Sequence, residues 1–293
     1  MLTYKLSEPV FLRNLIVYPI TANNRYSHRD DTIDEFNPFT IDEVMVNKKG
    51  EFREYDVPDI TEIVFDNKSD FPVLMLDGEE ITGSLQNRII AQSNLTEART
   101  SREIPVICVE EGRWEEIGGF KTGYCSYPEI RTILSKSRHR KMDTQQTIWN
   151  EINRKLTVTR TQSATSSMHD IYDNLKEEVV RYVEDFRSLN HNTVGFIGIA
   201  GNRILGCDIF QSPKIYCKFE NKLIRSYALD AIEYQKIRGN HPDAEKFLDS
   251  IIEIPRKKRG RKTLTNIKIK GDGFFGQALV CHDDIIHLSA FPE

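Results

Sequence analysis

The sequence of 293 residues predicts an α+β fold, in which one or more mostly antiparallel sheets pack with a layer of helices. The order of the segments is the first reason: strand-like segments come first, helical segments follow, and strands close the chain. The second reason is the alternation of apolar and polar residues, which is typical of half-buried strands. The third is a pair of turn dipeptides, Asp-Gly and Gly-Asn, between β-prone segments. Regular strand–helix–strand winding, which would indicate a parallel sheet, does not occur in the pattern.

The first part of the chain, about 1–127, is rich in predicted strands. The segments "EFREYDV" and "ITEIVFDN" alternate between apolar and polar residues. Next, Asp77-Gly78 separates "FPVLML" from "EEITG", a pattern that favours a two-residue hairpin because both central positions need positive φ. In such a hairpin Leu76 faces Glu79 across the two strands. The segment "REIPVICVEEGRW" is predicted to form a further strand.

The remainder, about 128–293, is predicted to mix helices with strands inside one domain that covers residues 1–293. Apolar residues recur with helical spacing in 129–156 and most clearly in 167–189. The other predicted elements are a hairpin turned at Gly201-Asn202, helices over 220–237 and 241–254, and two or three closing strands.

The composition narrows the class of protein. Apolar residues make up 39% and charged residues 29%, which is ordinary for a globular protein. A net charge of −4 provides no positive field toward nucleic acid or an anionic membrane, and no apolar run is long enough to span a bilayer. Five cysteines without a CxxC pair argue against a disulfide framework and a cysteine zinc site, so a reducing cytoplasm is the expected location. One basic segment, Arg256 to Lys262, has no assigned role, and nucleic-acid binding is disfavoured because the footprint should cover a face.

Glu79 is the first candidate functional residue. In the predicted hairpin it shares the more apolar face with Leu76 and Ile81. A carboxylate on such a face needs a cation or hydrogen bonds, or its pKa rises. Arg88 and Arg113 are the nearest cations along the sequence. The alternative is that Glu79 lies at the end of the turn and simply reaches water.

Two further motifs carry polar groups. In "SLQNRII", Gln86, Asn87 and Arg88 supply many hydrogen-bond donors, which suit a phosphate, carboxylate or amide ligand. The alternative is a solvated strand end. In "IPVICVEEGRW", Glu110 is followed closely by Arg113-Trp114, which could clamp a phosphate or stack on a ring. The alternative is a packed tryptophan covered by the arginine. The cysteine of this motif is read as a small core residue.

These motifs resemble those of the ADP-ribosylglycohydrolase- and rhodanese-phosphatase-associated protein domain. The similar segments are "LDGEEITGSLQNRI" and "IPVICVEEGRW", and the resemblance extends over roughly residues 10 to 290. The basic segment Arg256 to Lys262 departs from the family's pattern. The resemblance implies a protein that processes or recognises an NAD-derived or ADP-ribose-like molecule; this is an association and supplies no mechanism.

The sequence therefore predicts one polar pocket on the β-rich part of the chain. Seven residues are its candidates: Glu79, Gln86, Asn87, Arg88, Glu110, Arg113 and Trp114. One of the two glutamates is expected to act as a general base with a raised pKa, the arginines to hold phosphate, the amides to contact hydroxyls, and the tryptophan to stack. The expected reaction is hydrolysis or transfer on a small-molecule nucleotide, and the alternative is a non-catalytic sensor or sponge for a nucleotide signal. The sequence assigns no metal, no cofactor and no oligomeric state.

Overall fold

The computed structural model describes residues 3–23, 36–184, 186, 188–237, 239–257, 264–281 and 284–293, with the backbone alone over 254–257. The strands are β1 (Thr3–Leu6), β2 (Val10–Leu12), β3 (Leu15–Asn23), β4 (Phe39–Thr40), β5 (Gly50–Arg53), β6 (Glu62–Asn67), β7 (Val73–Met75), β8 (Glu79–Thr82), β9 (Arg88–Ile90), β10 (Asn94–Thr96), β11 (Ser101–Cys108), β12 (Lys121–Cys125), β13 (Thr193–Ala200), β14 (Arg203–Phe210), β15 (Thr265–Gly271), β16 (Phe274–Cys281) and β17 (Asp284–Pro292). The helices are α1 (Ile41–Val46), α2 (Pro128–Ser137), α3 (Thr144–Thr159), α4 (Met168–Asn174), α5 (Lys176–Val183), α6 (Pro213–Glu233) and α7 (Ala244–Lys257).

The strands form three sheets. The largest has the order β1-β3-β13-β14-β17-β16-β15, with β2 paired to β3. A six-stranded sheet has the order β12-β8-β9-β11-β6-β5, and a three-stranded sheet has the order β10-β7-β4. Among the described strands only β4 and β7 pair in parallel. The predicted α+β fold with mostly antiparallel sheets is confirmed.

The hairpin predicted at Asp77-Gly78 is wrong, although the chain does turn there. β7 pairs with β10 and β4, whereas β8 pairs with β9 and β12, so the turn connects two different sheets. Gly78 has a φ of 85°, and its N–H donates to the carbonyl of Ile90 at 2.8 Å. Leu76 and Glu79 are therefore not cross-strand partners. The dipeptide predicts the local turn, whereas the sheet that each flanking strand joins is set by distant packing.

The other local predictions agree better with the structure. Gly201-Asn202 does turn a hairpin, between β13 and β14, with Ala200 paired to Arg203. The segment 129–156 forms two helices instead of one, because the side chain of Asp143 caps a new start at α3. The segment 167–189 is also divided, into α4 and α5, and helix α6 begins at Pro213, ahead of its predicted start. The three closing strands are present.

A buried charge network joins the elements at the centre of the molecule. Arg131 of α2 is fully buried between Asp77, which follows β7, and Asp208 of β14. Its Nη2 donates to Oδ1 of Asp208 at 2.6 Å, and its Nε donates to Oδ2 of Asp77 at 3.1 Å. Tyr227 of α6 donates to Asp208, and His287 of β17 lies 3.1 Å from the same carboxylate. The network fixes α2 against both the large sheet and the three-stranded sheet.

No helix in the described part of the chain is long and apolar enough to cross a membrane. The five cysteines, all of which lie in the described part of the chain, form no disulfide, and Cys108, Cys125 and Cys207 are buried. The side chains of the basic segment 256–262 lie outside the described residues.

Candidate functional site

The QNR and CVE-GRW motifs meet around the carboxylate of Glu110. Its Oε2 accepts from Nη2 of Arg113 at 2.7 Å and from the backbone N–H of Asn87 at 3.0 Å. Its Oε1 accepts from the hydroxyl of Thr165 at 2.7 Å, and Gln86 donates to its backbone carbonyl at 2.8 Å. The structure therefore brings four of the seven predicted residues together, in a cluster whose polar atoms bond one another.

Glu110 does not have the raised pKa that was expected of one of the two glutamates. Burial alone would raise the pKa of this carboxyl, but hydrogen bonds from Arg113 and Thr165 hold it below its ordinary value. Arg113 also donates through Nη1 to the carbonyls of Ser84 and Glu115, and only its buried Nε lacks a hydrogen-bond partner within the described part of the chain. A carboxylate that is ionised and fully bonded lacks the proton affinity of a general base, so these contacts favour a structural clamp.

Arg88 and Trp114 do not take part in the Glu110 cluster. Arg88 is completely buried, and its Nη1 donates to Oε2 of Glu54 at 2.8 Å. Trp114 is 51% exposed. Neither residue bonds Glu79, which the sequence placed in the same pocket.

Glu79 is fully buried and does not reach water. Its Oε2 accepts from the backbone N–H of Leu76 at 2.8 Å, and its Oε1 accepts from Nζ of Lys222 at 2.9 Å. The expected cations, Arg88 and Arg113, are the wrong partners: the real one comes from α6, 143 positions along the chain. Burial raises the pKa of Glu79, as expected, and the Lys222 ammonium opposes part of that rise.

Glu79 and the Glu110 cluster lie at opposite ends of β8. Glu79 is the first residue of this strand, whereas Gly83 and Ser84, which accept from Arg113, follow its last residue. Four residues of extended chain span about 13 Å. The seven predicted residues therefore do not converge on one pocket.

A cavity of about 300 Å³ opens on the Glu79 side, between α6 and β12. Its volume is at the lower end of the range for small-molecule sites. Its principal polar and aromatic lining residues are Asp42, Tyr124, Tyr172, Lys218, Asn221, Lys222 and Arg225.

Three cations lie along one face of α6 at this cavity. Lys218, Lys222 and Arg225 are spaced by four and three residues, which places them along one side of a helix. Arg225 donates through Nε to Oδ1 of Asn221 at 2.7 Å, and no other hydrogen bond of its guanidinium is made within the described ranges. Arg225 is thus the cation with the most donors available to a ligand.

A histidine–carboxylate pair lies directly behind the cavity wall. His169 of α4 is 2.8 Å, through Nδ1, from Oε2 of Glu80, which also accepts from the backbone N–H of Tyr124 at 3.1 Å. The ring of Tyr124 lies 5.0 Å from that of His169 and stacks on Tyr172 at 4.4 Å. Gly123 is required here, because a Cβ at this position would come within 2.2 Å of the Glu80 carboxylate. The pair therefore supports the main chain that lines the cavity.

The His169–Glu80 pair makes stability depend on pH. The hydrogen bond with Glu80 raises the pKa of His169 in the folded protein above its ordinary value. The protonated histidine therefore stabilises the folded state, and this contribution is complete below the pKa that His169 has in the unfolded chain. It is lost as the pH rises through the pKa that His169 has in the folded protein. We expect the difference in Tm between the wild type and His169→Gln to be largest near about pH 6 and to shrink at alkaline pH. Thermal melts across this range, with His191→Gln at an exposed position as the control, measure it. A difference that stays constant with pH would contradict the assignment.

Sequence reasoning missed the residues that build this cavity. The spacing of Lys218, Lys222 and Arg225 was readable as a basic stripe, but such a stripe is usually a solvated helix face. Nothing local to His169 or Asp42 indicates their partners. Among the described residues, no group of three or more His, Cys, Asp or Glu side chains is placed to hold a metal ion.

Comparison with protein families matches residues 3–291, almost the whole chain, to the ARG and Rhodanese-Phosphatase-superfamily-associated Protein domain. Searches of curated proteins and of solved structures found no match. This is the family that the GEE, QNR and CVE-GRW motifs resemble. The chain belongs to the ARG and Rhodanese-Phosphatase-superfamily-associated Protein domain family.

Proposed function

We propose that the protein binds an NAD-derived or ADP-ribose-like nucleotide in the α6 cavity and hydrolyses it or transfers a group from it. The observation that carries this proposal is the row of three cations along α6, facing a cavity with tyrosine rings in its wall. Guanidinium and ammonium groups bind phosphate oxygens strongly, and a tyrosine ring offers a flat surface to a base or ribose. The family's name, with its reference to ADP-ribosylglycohydrolases, supports the same class of ligand.

We assign the binding roles from the hydrogen-bond donors that the lining side chains have available for a ligand. Arg225 has donors to spare and would grip a phosphate with two parallel hydrogen bonds. Lys222 would contact a neighbouring phosphate, while buried Glu79 holds its ammonium in place. Tyr124, part of the cavity wall, would contact the sugar or the base.

Glu110 is not part of the proposed chemistry. The candidate for proton transfer is His169, which lies behind Tyr124 and does not line the cavity, so it would act through that wall and not by direct contact with the ligand. Histidine gives and takes protons near neutral pH, and the buried carboxylate of Glu80 fixes the orientation of its ring. Glu79 becomes a positioning residue, because both of its oxygens are already bonded. Gln86, Asn87, Arg88, Arg113 and Trp114 are left out of the proposed ligand site.

The alternative function is a non-catalytic binder of the same nucleotide. The pairing of Glu79 with Lys222 favours it, since this carboxylate is held by the ammonium and is not free to act as a base. The two functions differ in what becomes of the ligand. Chromatography after incubation with ADP-ribose separates them: intact ligand indicates a binder, and a new product indicates an enzyme.

We expect Arg225→Gln to weaken ADP-ribose binding by roughly tenfold or more, because a charge-assisted hydrogen bond contributes about 1.5–3 kcal/mol. The melting temperature should stay unchanged, since the guanidinium bonds only Asn221 within the described structure. Isothermal titration calorimetry measures the affinity. Arg53→Gln removes the same charge from an exposed pair with Asp66 and is the matched control. Equal affinity in the two variants would refute the proposed site.

A further inference from the structure

Asp42 occupies the position in the cavity where a ligand anion would bind. It lies in the first turn of α1, and its Oδ2 is 2.6 Å from Nζ of Lys222. On its other side Lys222 bonds Glu79 at 2.9 Å. The Glu79 side chain is fully buried, whereas that of Asp42 is 44% exposed. Of the two carboxylates on this ammonium, Asp42 is the one that can exchange with a ligand.

The charges around the cavity balance without a ligand. Lys218 lies 3.1 Å from Glu43, just as Lys222 lies between Asp42 and Glu79. Three carboxylates thus offset the three cations of α6. A ligand that displaces Asp42 must bring negative charge of its own to Lys222, because the ammonium otherwise loses a partner.

Only the side chain of Asp42 has to move. Helix α1 is anchored by the buried residues Ile41 and Val44. Its start is fixed by a capping box, in which Thr40 and Glu43 bond each other's backbone N–H. The helix therefore stays in place while the exposed carboxylate turns toward solvent.

We propose that Asp42 is an internal competitor for Lys222, and that a diphosphate displaces it by bridging Lys222 and Arg225. This inference rests on the proposed function and specifies its substrate class. A monophosphate can bind Arg225 alone and leave Asp42 on Lys222, so its affinity depends little on Asp42. A diphosphate brings additional charge and can reach both Lys222 and Arg225, which lie about 4.5 Å apart along the helix axis.

The test compares ADP with AMP in the wild type and in Asp42→Asn, by calorimetry at constant ionic strength. We expect the wild type to bind ADP roughly tenfold more tightly than AMP. In Asp42→Asn ADP should bind more tightly and AMP should change less, so that the ratio of the Kd for AMP to the Kd for ADP rises by about threefold or more. Asp70→Asn, which removes the same charge from an exposed pair with Arg99, should keep the wild-type ratio. Asp42→Ser should give the same change in the ratio as Asp42→Asn. This second variant excludes an effect of contacts between the asparagine amide and the ligand.

An unchanged ratio in Asp42→Asn overturns the inference, and so does weaker binding of both nucleotides. If ADP-ribose binds to the wild type and neither ADP nor AMP does, the inference fails and the proposed function stands. If none of the three ligands binds to either protein, both fail.

Discussion

Arg131→Met is expected to lower the free energy of unfolding by about 3–5 kcal/mol, because breaking a buried ion pair leaves an uncompensated charge in the interior. Arg131 is completely buried, and in its absence Asp77 and Asp208 would face each other without a cation. The Arg131 guanidinium and the neighbouring His287 hold the pKa of Asp77 below its ordinary value although burial alone would raise it. Methionine fills most of the volume of arginine, so the loss measures charge more than packing.

Urea unfolding followed by circular dichroism measures this loss. Arg53→Met is the matched control, since Arg53 pairs with Asp66 at a half-exposed position where ion pairs contribute about 0–1 kcal/mol. Comparable losses in the two variants would mean that the central network is not what holds α2 to the sheets. Because the carboxylates stabilise the fold only while ionised, the wild type should also lose stability as pH falls below the unfolded pKa of aspartate, about 4.

Glu79→Gln is expected to destabilise the protein by on the order of 3 kcal/mol, through the same physics at the cavity. The variant leaves the Lys222 ammonium with only Asp42, which is half exposed. Lys222→Met should cost a similar amount, because Glu79 then keeps a single donor, the N–H of Leu76. The double variant should cost less than the sum of the two, because each single change strands the partner charge.

The four proteins of this cycle are compared by urea unfolding. A coupling energy of about 1 kcal/mol or more identifies the pair as a unit. Purely additive losses would show that Glu79 and Lys222 act independently and would remove the reason for treating Glu79 as the residue that positions Lys222. Asp42→Asn supplies an internal comparison, since its side chain is exposed and its removal should cost far less.

The sequence predicted one pocket of seven residues, and four of these residues lie together in the structure. Gln86, Asn87, Glu110 and Arg113 were grouped from two motifs only a few residues long, and the structure does bring them together. Most of their donors and acceptors are already hydrogen-bonded, which favours a structural clamp over a ligand site. Part of that bonding comes from Thr165 and from backbone carbonyls, and no local pattern reveals those contacts.

The Asp77-Gly78 turn shows the same limit for the fold. The dipeptide and the positive φ of Gly78 are local properties, and the structure has both. Whether the flanking strands pair with each other depends on competition from β10 and β12, which come later in the chain. The local sequence favours a hairpin between β7 and β8, but each of these strands pairs within a different sheet.

The sequence by itself determined the α+β class, most of the helices and strands, and the motifs through which the chain resembles its family. These properties depend on the period of apolar residues and on turn chemistry, both of which act over a few neighbouring positions. The tertiary structure alone decided that Lys222 neutralises Glu79, that Arg131 bridges two aspartates, and that the cations of α6 face a cavity. A charge takes its partner and its pKa from whatever side chains the completed fold brings within a few ångströms, and those partners lie more than 50 positions away along the chain.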